Sequence, residues 1–141
     1  MLEQLKNRII WAGEQAWVKG NLDAFDEVYA EDYLWHRPPF QDISGLVALK
    51  ESVSGMRSAY SNIQITYDEM IGEGTTIAYR YTFKGKHTGI SPSLPIPPTN
   101  KPVTLQGCVL VHISDSKIVE EFECSDYLGF LQQIDVVPPI G

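Results

Sequence analysis

The spacing of hydrophobic positions changes once along the chain. Leu2, Leu5, Ile9, Ala12 and Ala16 recur at three and four, with Trp17 beside them, which predicts an amphipathic helix over 2–19. Gly20 ends it, because glycine accepts the left-handed conformation past a helix end. Asn21 then stands where it caps a short second helix with Leu22, Phe25 and Tyr29 on one side. Leu46, Leu49, Val53, Met56 and Tyr60 predict a third helix that starts near Ser44. Beyond residue 61 the period falls to two. Ile63, Ile65 and Tyr67 form one run, and Ile77, Tyr79, Tyr81 and Phe83 a second. Val103, Leu105, Val109, Val111 and Ile113 form a third, and Ile118 to Cys124 a fourth. Such alternation marks antiparallel strands with one face on a core.

Turns are expected at 72–75 (GEGT) and 114–117 (SDSK). Residues 89–102 carry five prolines, which exclude a helix interior or a central strand. They read as a long loop, a rim or lid to a pocket. Helices followed by a meander predict an α+β fold with the helices on one face of a curved antiparallel sheet. No repeat or linker divides the chain, so one domain is expected over 1–141.

Composition narrows the partners. The formal net charge is −7 and the basic residues are scattered, so neither nucleic acid nor an anionic membrane surface is an expected partner. Charged residues interrupt the N-terminal apolar run, which argues against a signal peptide, and no stretch is apolar enough to span a membrane. Cys108 and Cys124 are the only cysteines, too few for a secreted disulfide framework, and both read as buried thiols. A cytoplasmic location is the default expectation.

In order, the segments YAEDYLWHRPPF (29–40), GLVALKESVSGMRSAYSNIQIT (45–66), MIGEGTTIAYRYTFKGKHTG (70–89), PPTNKPV (97–103) and SKIVEEFECSDYLGFLQQI (116–134) resemble the SnoaL-like polyketide cyclases, or ester cyclases. These lie within the nuclear-transport-factor-2-like and ketosteroid-isomerase-like superfamily. The resemblance implies a cone-shaped sheet packed on N-terminal helices around an apolar pocket. It also implies a homo-oligomer, dimer or tetramer, for which Arg80, Thr82, Leu110 and His112 offer a mixed outer face. The loop from His87 to Val103 is about two residues longer than is usual in the family. On the last strand, EEFECSD stands where relatives carry an aromatic residue and an Asp. Aligning the two places Glu123 at the position of the carboxylate that acts as acid/base in the polyketide cyclases.

A carboxylate in such a pocket loses hydration and becomes a better base near neutral pH, which suits proton abstraction beside a carbonyl. Glu123 is the first candidate and Glu120 the second. In a simple hairpin, Val111 faces Glu120 and Val109 faces Phe122, so Glu120 joins the core face and Glu123 points away. A bulge between them returns Glu123 to the interior. Glu121 shares the parity of Glu123 and reads as solvated. His36 and His87 are candidate donors or proton shuttles, His112 reads as outer, and Asp126 reads as the cap of the last short helix. Trp35, Trp17, Tyr79, Tyr81 and Phe122 are the candidate ligand contacts. No tight metal-ligand spacing, nucleophile elbow or phosphate loop is present, and no cofactor is expected.

Three functions fit. The first is an acid/base enzyme acting on a hydrophobic carbonyl compound by cyclisation or isomerisation. The second is a non-catalytic module that holds a small apolar ligand. The third is a dehydratase or an epoxide-opening hydrolase. Polar groups inside the pocket distinguish them: one carboxylate with one or two histidines favours the first, an entirely apolar lining the second, and two or more convergent carboxylates around an ordered water the third.

Overall fold

The computed structural model describes residues 2–140. Helix α1 (Leu2–Ala12) runs on into a wider π-helical turn over Gly13–Val18, and a 3-10 turn follows over Leu22–Glu27. Then come β1 (Tyr29–His36), β2 (Ile43–Ser44), α2 (Leu46–Ala59), β3 (Tyr60–Glu73), β4 (Thr76–His87), β5 (Pro102–Ser114), β6 (Lys117–Ser125) and α3 (Tyr127–Gln133). The six strands form one sheet in the order β2-β1-β6-β5-β4-β3. All neighbours are antiparallel except β1 and β6, which run parallel. The α+β class and the helices packed on the sheet follow the sequence expectation.

The helices bury their stripes where the period placed them. Leu5, Ile9, Ala12, Ala16, Leu49 and Val53 pack with Ile77, Val109 and Val111 of the sheet. The first helix changes pitch at Gly13, where a methyl group would lie 2.0 Å from the Tyr67 hydroxyl. The glycine thus lets β3 bring Tyr67 against the helix and into the interior.

Four expectations need correction. Tyr29 belongs not to the second helix but to the start of β1, and Asn21 makes no side-chain cap. The strand 29–36 has no clean period of two, because its exposed Glu31 and Asp32 follow half-buried Tyr29 and Ala30. Cys108 and Cys124 are exposed, facing each other across β5 and β6 on the outer side of the sheet. The bulge in the last hairpin falls not between Glu120 and Glu123 but before them. His112 pairs with Glu120 and Ile113 with Ile118, which leaves Val119 unpaired.

That extra residue reverses the inward set of β6. Val111 now opposes Glu121 and Val109 opposes Glu123. Both glutamates are buried at 5% exposure, whereas Phe122 between them is 41% exposed. The second hairpin turn, at Asp115 and Ser116, has both central residues at positive φ, as a two-residue hairpin with right-handed strand twist requires.

Candidate active site

The sheet curls over α2 and the π-helical turn to enclose a cavity of about 70 Å³. An engineered cavity that holds one benzene has roughly 150 Å³. An occupant of this cavity is therefore small or narrow, and a larger one must displace a movable side chain such as Met56. Trp17, Trp35, Tyr79 and Tyr81 line this cavity together with Glu121 and Glu123.

Glu123 sits in a ring of donors. Trp35 Nε1 donates to its Oε1 at 3.1 Å. The hydroxyls of Tyr81, Ser125 and Tyr127 donate to its Oε2 at 2.7, 2.5 and 3.1 Å. The Tyr81 and Ser125 hydroxyls are also 2.6 Å apart, so the four groups form one connected network that fixes the Glu123 carboxyl at the cavity wall. Burial and the neighbouring Glu123 hold the Tyr81 and Tyr127 phenols well above their ordinary range, so they stay protonated and donating.

Glu121 has the opposite surroundings. Its Oε1 is buried without a hydrogen-bond partner. Burial first, and the Glu123 charge second, push its carboxyl up to about 8, while Tyr33 eases the charge slightly. One strand therefore presents a carboxyl that keeps its proton at pH 7 and, two residues on, a carboxyl held in a network of donors. Tyr29, Tyr33, Tyr67 and Tyr79 surround them with phenols held well up by burial and by Glu121. They are protonated donors at any physiological pH.

The remaining candidates lie elsewhere. Glu120 points to the outer side, where its Oε2 is 2.8 Å from His36 Nε2. His36 Nδ1 is 3.0 Å from Asp42, and the ring stacks on Phe122 at 4.5 Å. Bonding to Glu120 chiefly, then Asp42, raises the His36 imidazole above its usual range. Glu120, His36 and Phe122 thus form an outer-face cluster away from the cavity, because the Val119 bulge and the parity of β1 turn all three outward. His87 is buried but does not line the cavity: its Nδ1 accepts from the Thr99 amide at 3.2 Å and its ring lies on Tyr60. It pins the proline-rich segment to the end of β4. Asp126 caps α3, with its Oδ1 accepting from the Gly129 amide at 2.8 Å.

Sequence reasoning missed Glu121, Tyr29, Tyr33 and Tyr67. The consecutive apolar pair Ile118–Val119 breaks the alternation just before the glutamates, and that was the available signal for a bulge. Among the described residues, no group of three or more His, Cys, Asp or Glu side chains is arranged to hold a metal ion, and no helix is long and apolar enough to cross a membrane.

A curled sheet over helices, with carboxyl groups delivered by the last hairpin into an aromatic cavity, defines a protein of the ketosteroid-isomerase-like fold. The sequence profile of the SnoaL-like polyketide cyclases matches residues 8–134, and the chain belongs to that family. Solved structures show the same architecture. TsrD from Streptomyces laurentii superposes with a TM-score of 0.81 at 19% identity, covering 96% of each chain. IdmH from Streptomyces antibioticus gives 0.75 at 21% identity over 94% of this chain and 99% of that one. An LEH-like epoxide hydrolase of M. tuberculosis gives 0.67 at 13% identity over 90% and 86%. No curated protein sequence matches the chain significantly.

Proposed function

We propose that this chain is an acid/base enzyme that abstracts a proton beside the carbonyl of a small hydrophobic compound, as isomerisation or intramolecular aldol closure requires. The observation that supports it is the buried Glu121 carboxyl, poised at about 8 with one oxygen unbonded at the cavity. A base works best when its pKa lies near the working pH, and this group meets that condition through desolvation. Ionised Glu121 takes the α-proton and becomes the neutral acid its site prefers. The electron pair moves onto the carbonyl oxygen, where protonated tyrosines of the lining donate hydrogen bonds. Glu123, locked by its four donors, stays in place as the fixed anion that keeps Glu121 basic.

A second reading has one observation in its favour, the two carboxyl groups on one strand. Neutral Glu121 would protonate an epoxide oxygen while Glu123 activates water, as in a hydrolase. One experiment separates the readings. Deuterium uptake from D2O into small enolisable ketones such as cyclohexanone, followed by NMR, should rise with pH to a plateau above about 8 if Glu121 is the base. Epoxide opening with Glu121 as acid should instead fall through the same pH. Glu121→Gln should lose either activity by a factor on the order of 10² or more. Exchange that is absent, or unchanged in Glu121→Gln, would reject the base assignment, and absence of both exchange and epoxide opening favours a binding module.

The homo-oligomer belongs to this proposal as well. Leu110 and Phe122 are exposed together on the outer sheet face, an apolar surface of the kind that symmetric pairing covers. Sedimentation velocity is expected to give a dimer or tetramer, and a monomer at high concentration would refute it.

A further inference from the structure

Arg37 lies just past β1, with the parity of Tyr33 and Trp35, and is only 7% exposed. Its guanidinium lies 5.1 Å from the Trp35 ring centre and 5.5 Å from that of Phe40, an aromatic clamp that fixes the plane of the group. Its Nε donates to the Gln41 carbonyl at 3.1 Å. Among the described residues, the two terminal nitrogens have no hydrogen-bond partner and no carboxylate at ion-pair distance. These nitrogens are not among the buried atoms that lack a partner, so they reach solvent and are open to a partner from outside the chain.

The surroundings say where that partner would sit. Arg37 lines a second cavity of about 20 Å³, with Ser91 and Ser93 of the proline-rich segment on its rim. The two serine hydroxyls lie 3.0 Å apart. Met56, Phe83, Leu105 and Tyr127 line both this cavity and the larger one, so one layer of side chains separates them. Tyr127 also donates to Glu123. Rotation of Met56, a flexible side chain, would join the two spaces.

We propose that Arg37 is a binding residue for a carboxylate on the substrate, which makes the substrate class small carbonyl compounds that carry an acid group. The guanidinium offers two parallel N–H donors that match a carboxylate, and the serine hydroxyls add donors on the rim. Arg37 would hold the acid end while the apolar body reaches toward Glu121. Only that last placement rests on the acid/base reading, and the carboxylate site itself does not.

Binding tests it without turnover. Pentanoate and its neutral counterpart pentanamide are titrated into the full chain, with the Trp35 indole N–H followed by NMR. The wild-type protein should favour pentanoate by about tenfold or more, the range of a charge-assisted hydrogen bond. Arg37→Met should abolish the preference, and Arg37→Lys should keep part of it. Equal affinity for the two probes in the wild-type protein, or no binding of either, overturns the proposal even if Arg37→Met does not fold. A preference that survives in Arg37→Met overturns it too. Glu121→Gln should still bind pentanoate, so loss of the carboxylate site and loss of the Glu121 base are told apart.

Discussion

At pH 7 the Glu121→Gln variant is expected to be more stable than the wild-type protein by about 3 kcal/mol, while losing turnover. An ordinary glutamate titrates at 4.5, whereas burial and the Glu123 charge push this one up to about 8 in the folded chain. Below 4.5 the carboxyl is protonated in both states, and ionisation does not bear on folding. Between 4.5 and 8 the unfolded chain releases a proton that the folded chain keeps, so stability falls as pH rises, by about 1.4 kcal/mol per unit. Above 8 both states are ionised and the loss levels off. Glutamine has the same shape and no such penalty. Urea denaturation of both proteins between pH 4 and 9 reads the effect, because groups that do not interact with residue 121 titrate alike in the two. A constant difference across that window would show that Glu121 ionises in the fold as it does in water. A destabilising group retained at the centre of a cavity is the pattern of a site in which stability is given up for reactivity.

Replacing Glu123 should act in the opposite direction. Glu123→Gln keeps one carbonyl oxygen but puts an NH2 group where Trp35, or the three hydroxyls, expect an acceptor, and removes the charge from those bonds. A loss of about 2–4 kcal/mol is expected, within the range for breaking a buried charged network. The same change takes away the negative charge that helps to raise Glu121, so Glu121 should titrate at lower pH. Turnover should fall and its pH midpoint should shift downward with the Glu121 titration, while ligand binding survives. Carbon-13 NMR of the Glu121 carboxyl reads the titration directly. An unmoved midpoint would mean that the two carboxyl groups do not sense each other, and the pairing that underlies the proposed chemistry would be lost.

How much of the site was legible depended on where local pattern and sheet register agree. Trp35, Tyr79 and Tyr81 were readable as cavity-lining because their neighbours alternate cleanly or because their bulk is conspicuous. Glu123 was identified by its place in a resembling motif, although strand parity taken alone pointed it outward. Glu121 was unreadable for a specific reason. One unpaired residue, Val119, exchanges the two faces of everything after it, and a period-of-two argument carries that error along the whole strand. The assignment of His36 failed with β1: once 29–36 is a strand, the parity of Tyr33 and Trp35 sends Arg37 inward and His36 outward.

The amino-acid sequence by itself determined the change from helical to extended periodicity, the turns that divide the meander, and the family. Those follow from spacing and turn chemistry, which act over a few residues. The tertiary structure alone decided which carboxyl groups leave water, that burial raises Glu121, and that a guanidinium stands between two aromatic rings beside the cavity. These are consequences of register and enclosure. Whether a glutamate is a surface charge or a buried base depends on groups brought from far along the chain, and only the curled sheet assembles them.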